Sequence, residues 1–141
     1  MTHDTRYDTR ASKSEKILAI LRAHLGQDLS NLTCLDVGCS NGAISVRTAG
    51  SFKRTIGIDL DAPAIAQAAS EHQSDQMIFA LASGHAIPFE DNSFDLIICA
   101  QVYEHSTDQP ALAREVWRVL RPGGIVFFSG PNRLKIMEEH Y

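Results

Sequence analysis

Leu35-Asp36-Val37-Gly38-Cys39-Ser40-Asn41-Gly42 decides the fold, and Ile56-Gly57-Ile58-Asp59 downstream completes its reading. The apolar run ending at Val37 reads as a strand, the glycines as a turn, and the residues after Gly42 as a helix start. Glycines at 38 and 42 let the backbone bend sharply and let a ligand approach the main chain without meeting a Cβ. The helix that follows points its free N–H groups at that turn. The second piece is another strand, and it ends in a carboxylate. Asp59 lies about twenty residues past the turn, where a nucleotide-type fold presents an acid to a ribose diol. Together the two pieces describe a site for a ligand that carries an adenosine.

Outward from this unit, strands and helices alternate. Ser12 to Leu25 is amphipathic, with Ile17, Leu18, Ile20, Leu21 and Leu25 as its apolar stripe, and Gly26 ends it. Strands are expected at Thr33–Val37, Thr55–Ile58, Met77–Ala82, Asp95–Ala100 and Ile125–Ser129. Helices are expected near 43–49, 63–71 and 110–120. The strands are nearly continuous apolar runs, as strands covered on both faces are. This pattern predicts an α/β fold: a doubly wound, mostly parallel, Rossmann-like sheet with helices on both faces and five strands visible in the sequence. The ligand belongs at the carboxyl ends of the strands, where strand order reverses. Residues 1–10 are polar and read as a flexible arm, and residues 11–141 as the core.

A chain of 141 residues suffices for one domain with a real core. Its net charge of −4 and its lack of a basic run argue against a nucleic-acid partner. No stretch reads as membrane-spanning, and the polar start is no secretory signal. Cys34, Cys39 and Cys99 show neither a C-x-x-C nor a His at metal spacing, so no metal site or disulfide framework is indicated. A reducing, cytoplasmic location fits these thiols.

The glycine spacing separates the nucleotide binders. A dinucleotide fingerprint is G-x-G-x-x-G; here the order is D-x-G-x-x-x-G, from Asp36 through Gly38 to Gly42, with Ser40 between the glycines. Further on stand Ile87-Pro88-Phe89-Glu90-Asp91-Asn92-Ser93-Phe94-Asp95, Val102-Tyr103-Glu104-His105, Arg118-Val119-Leu120-Arg121-Pro122-Gly123-Gly124 and Ser129-Gly130-Pro131-Asn132. In this order and at these separations, the motifs resemble class I S-adenosylmethionine-dependent methyltransferases of the type 11 subgroup. The resemblance covers roughly residues 30 to 135.

The resemblance implies S-adenosylmethionine as cofactor and S-adenosylhomocysteine as product. Gly38, Ser40 and Gly42 are then expected around the methionine moiety, with Asp36 holding its ammonium directly or through water. Asp59 accepts from the ribose hydroxyls, or is merely a strand-end cap; a carboxylate has acceptors enough for both hydroxyls. Leu60 is expected on the adenine face, and Asp61 as the cap of the next helix. Ser83 departs from the family, which often carries an acid there for the adenine amino group. Gly84 and Gln101 complete the expected cofactor contacts, and His85 is a candidate to compensate for Ser83. His105 is the one residue nominated for proton chemistry; its alternative role is to pack beneath the cofactor or orient the loop. Trp117 reads as core packing.

The family's sheet usually has seven strands, and this chain stops at Tyr141, just past the fifth expected strand. That suggests truncation after strand five and an uncovered apolar edge at Ile125-Val126-Phe127-Phe128, prone to pair with another copy as a homodimer. The resulting expectation is methyl transfer to an O, N or C acceptor on a small molecule. The alternatives are a non-catalytic cofactor-binding or interaction module and a nicotinamide oxidoreductase, the last disfavoured by the glycine spacing.

Overall fold

A computed structural model describes residues 5–100, 102, 105–130 and 133–138. Along the chain run α1 (Thr5–Leu25), β1 (Thr33–Val37), α2 (Ala43–Ala49), β2 (Arg54–Asp59), α3 (Ala62–His72), β3 (Met77–Leu81), β4 (Phe94–Ala100), α4 (Gln109–Val119), β5 (Leu120–Gly130) and β6 (Arg133–Glu138). The strands form one sheet in the order β3-β2-β1-β4-β5-β6. Strands β1 to β5 pair in parallel, as the alternating pattern requires, and β6 is antiparallel to β5. The order reverses between β1 and β4, which opens a crevice at their carboxyl ends.

Helices cover both faces. Leu112, Val116 and Val119 of α4 pack on Leu35, Val37, Ile97 and Val126. On the opposite face Ile17 and Leu21 of α1 pack on Cys34, Leu96, Ile98 and Phe127, while Ile65 and Ala68 of α3 meet Met77 and Phe79. Helix starts follow local chemistry: Asp61 accepts from the Ala64 amide (3.1 Å) and Asp108 from the Ala111 amide (3.0 Å), each with a proline in the first turn.

Three expectations are corrected. The sheet has a sixth strand, so β5 is not its edge: β6 covers it from Gly130↔Arg133 to Ile125↔Glu138. Only Pro131 and Asn132 separate the two strands, and Arg133-Leu134-Lys135-Ile136 alternates polar and apolar as a hairpin arm does. The homodimer through an exposed β5 edge therefore loses its basis. Second, α1 begins at Thr5 instead of Ser12, so half of the expected arm is helical; Thr5 to Ala11 holds no Gly or Pro to stop propagation. Third, Trp117 is 36% exposed. It follows Val116, which occupies the inward row of α4, and so falls on the flank.

Two polar staples fix the α4 side. The Arg118 guanidinium donates to the carbonyls of Ile87 (2.7 Å) and Phe89 (2.8 Å) and to the carboxylates of Glu115 (2.9 Å) and Asp91 (2.9 Å). Glu115 in turn accepts from the Ile87 amide at 2.7 Å. The Ile87–Asp91 turn is thus tied to α4, with Phe89 edge-on to Phe94 at 5.3 Å between ring centroids. The second staple lies at the irregular start of β5. Leu120 pairs with Phe94, and pairing resumes only at Ile125 with Leu96. Asp95, alone opposite this excursion, accepts from Arg121 (2.5 Å) and from the Thr33 amide (2.8 Å).

Candidate functional site

The glycine turn is held from inside the protein. Gly38 and Gly42 have φ of +74° and +82°, the conformation the sequence pattern requires of them. A Cβ on Gly38 would lie 2.3 Å from a Val102 methyl, and one on Gly42 would lie 2.7 Å from the Phe79 ring. The space a Cβ would take at these glycines is filled by the chain's own side chains. The turn's amides are also engaged: Gly38 and Cys39 donate to the Ile58 carbonyl (2.8 and 3.0 Å), Gly42 donates to the Cys39 carbonyl (2.9 Å), and Ser40 donates to Asp59 (2.8 Å). Motif and acid are thereby one unit. Asp59 is clamped at the end of β2 by the Ser40 amide on one oxygen and the Asp61 amide (2.9 Å) on the other. Each oxygen retains a second lone pair for a ligand hydroxyl.

Above this unit lies a cavity of about 370 Å³, within the ordinary range for small-molecule sites. The ends of four parallel strands build its wall: Val37–Gly38 at the end of β1, Ile58–Leu60 at the end of β2, Ala82–His85 after β3, and Val102 with His105–Thr107 after β4. Leu112 of α4 closes the floor. Of the expected site residues, Gly38, Asp59, Leu60, Ser83, Gly84 and His105 come together on this wall. Leu60 is 68% exposed. The Ser83 hydroxyl accepts from the His85 amide at 3.0 Å. Asp36, Ser40 and Gly42 are not among the lining residues: Asp36 is buried below the turn, Ser40 faces solvent, and Gly42 is sealed by Phe79. Gln101 lies outside the described residues.

Asp36 is 3% exposed and takes a hydrogen bond from the Ser45 hydroxyl of α2. Burial pushes its carboxyl up to about 7; the Ser45 hydrogen bond lowers it in part, and the charge of Asp59 raises it further. All three cysteines are free and buried, and burial pushes each thiol well up, away from reactivity.

The sequence reading did not nominate Val102, Ser106, Thr107 or Ser45. Ser106-x-Asp108-x-Pro110 carries a helix-start signature that places Ser106 at the mouth of α4. Ser45 falls on the inward row of α2 with Thr48, where a buried hydroxyl needs a partner.

These features define an α/β domain with a small-molecule crevice at its switch point: parallel strand ends, a carboxylate with free acceptor positions, and no lysine or arginine among the residues lining the cavity. The methyltransferase-domain family matches residues 35–128, and the chain belongs to that family. A ubiquinone biosynthesis O-methyltransferase of Hydrogenovibrio crunogenus is 34% identical over 111 residues, spanning 76% of this chain and 46% of that protein. Among solved structures, an S-adenosylmethionine-dependent methyltransferase from Mesorhizobium loti superposes with a TM-score of 0.69 at 26% identity, over 79% of this chain and 51% of that one. The [4+2]-cyclase SpnF superposes with a TM-score of 0.72 at 26% identity, over 82% and 44%. The chain thus spans about half the length of the proteins it matches.

Proposed function

We propose that the chain is the cofactor-binding core of an S-adenosylmethionine-dependent methyltransferase acting on an O, N or C atom of a small molecule. The observation that carries this reading is the clamped Asp59 at the wall of the switch-point cavity. Its free acceptor positions suit a ribose diol, and Leu60 beside it offers an apolar face to adenine. Ser83 and Gly84 form the far wall, where the serine hydroxyl meets the base as a neutral group. Asp36, beneath the turn, suits a cationic end of the ligand. The cofactor, when bound, supplies a sulfonium-activated methyl group. The protein's part is to hold an acceptor in line, exclude water and take up a proton where the acceptor carries one. That proton is assigned here to His105, a reading supported by its exposed position on the cavity wall.

A second reading is a binding module that keeps the fold without methyl transfer. It is favoured by the neutral Ser83 and by the likeness to a cyclase, since fold alone does not name a reaction. No helix among the described residues is long and apolar enough to cross a membrane. Titration calorimetry with S-adenosylmethionine and S-adenosylhomocysteine, on the parent and Asp59→Ala, tests the first reading. Micromolar binding that the variant loses supports it, whereas a folded parent that binds neither compound refutes it. Binding without transfer to any acceptor supports the module.

A further inference from the structure

One contact joins the two sides of the cavity through side chains and is not explained by the methyltransferase reading. His85 Nε2 and Ser106 Oγ lie 2.6 Å apart, and both residues line the cavity. His85 belongs to the segment after β3 and Ser106 to the segment after β4. Each partner is held from its own side. The His85 amide donates to the Ser83 hydroxyl at 3.0 Å. Ser106 Oγ accepts from the Asp108 amide at 3.3 Å, and Asp108 caps α4. The hydrogen bond therefore links the wall that carries Ser83 to the wall that carries His105.

The fold does not need this link to seat the loop. The Arg118 and Glu115 staple already ties Ile87–Asp91 to α4, away from the cavity. Gly84 packs so closely that an added Cβ would meet Leu112 at 2.8 Å. The His85–Ser106 pair, in contrast, is made by two residues that both line the cavity.

We propose that His85 and Ser106 are a positioning pair for the bound cofactor: their hydrogen bond fixes the spacing between the adenine wall and the methyl-transfer wall. The proposal rests on the cavity being the cofactor site. Neither residue is a catalytic residue, because each acts by holding a segment in place.

The test is a double-mutant cycle on the full chain, with S-adenosylhomocysteine as the probe. Affinity is read by calorimetry and dissociation rate by stopped flow. His85→Ala and Ser106→Ala are each expected to weaken binding about tenfold, the scale of one hydrogen bond, mainly through faster dissociation. The double variant is expected to be no weaker than either single one, because both remove the same bond. His85→Gln, whose amide reaches a similar point, is expected to recover most of the affinity. Arg118→Ala, which loosens the same loop elsewhere, is expected to lower stability but leave the folded protein's affinity within about twofold of the parent. Losses that multiply in the double variant overturn the pairing. Unchanged affinity and dissociation rate in both single variants, with a parent that binds, overturn the positioning role alone. A folded parent that does not bind overturns the cofactor reading, and this proposal with it.

Discussion

Replacing Asp36 by Asn should stabilise the ligand-free protein at neutral pH and above. The Asp36 carboxyl is buried, with its pKa raised from an ordinary 3.8 to about 7, burial being the leading cause. The folded chain keeps the proton over a window in which the unfolded chain has lost it. Below about pH 4 both states are protonated, and above about pH 7 both are ionised. Between these limits the parent's stability falls as pH rises, by about 1.4 kcal/mol per unit. Over the whole window the loss reaches about 4 kcal/mol, an upper figure because water entry and relaxation soften burial. An asparagine does not ionise, and its amide can still pair with the Ser45 hydroxyl. The stability advantage of the variant is therefore expected to grow from pH 4 to 7 and then level off. Urea unfolding of both proteins at pH 5, 6, 7 and 8, without ligand, measures this difference directly and cancels the other titrating groups. A difference that is flat with pH refutes the reasoning. So does one that turns against the variant as pH rises, which would show a carboxylate stabilised in its charged form.

Other consequences are smaller or more local. Gly42→Ala is expected to destabilise by about 2–4 kcal/mol, combining a strained positive φ with a Cβ 2.7 Å from Phe79. Gly123→Ala, at φ +78° with nothing within 4 Å, isolates the backbone part and should lose only about 1 kcal/mol by thermal unfolding. Equal losses at the two sites would show that the Phe79 contact has no energetic weight. Arg118→Lys should lower stability by about 1–2 kcal/mol in urea, since an ammonium cannot serve two carbonyls and two carboxylates as the planar fork does. The partial exposure of Arg118 keeps the figure modest. Ser40→Gly should stabilise slightly, by under about 1 kcal/mol, because Ser40 sits at φ +52° while its amide, not its hydroxyl, holds Asp59; a clear loss would assign work to the hydroxyl.

The sheet core was legible because its signals are local and redundant. Cys34-Leu35-Asp36-Val37 and Leu96-Ile97-Ile98-Cys99 are apolar runs between turn residues, and Asp61 and Asp108 announce the next helices. What escaped notice depends on partners far along the chain. The alternation in β6 means little until β5 is there to pair with it. The fifth strand was expected only from Ile125, and its start at Leu120 was missed, because only the register against Phe94 and Leu96 reveals strand pairing on both sides of the excursion. Trp117 read as core because tryptophan usually is, whereas its position depends on where α4 turns its apolar row. At the site, the acid of β2 and the glycine turn were legible as types. The burial of Asp36 and the His85–Ser106 contact were not, since both arise from segments brought together by the fold.

The geometry of the turn supports the separation of ligands that the glycine spacing already draws. A dinucleotide needs the turn and helix start to offer free amides to a pyrophosphate. Here the amides of Gly38, Cys39, Ser40 and Gly42 are already bonded within the protein, and Asp59 receives one of them. Asp36 pairs in register with Gly57, so it lies one strand over from Asp59 and two residues short of it, on the same face of the sheet. The charge of Asp59 is thereby near enough to be part, by repulsion, of what raises Asp36. A negative ligand would sharpen that repulsion. A ligand with hydroxyls for Asp59 and a positive group toward Asp36 would relieve it. The expected outcome is that the protein prefers a cationic nucleoside to a dinucleotide, and calorimetry with S-adenosylmethionine against a nicotinamide dinucleotide checks it.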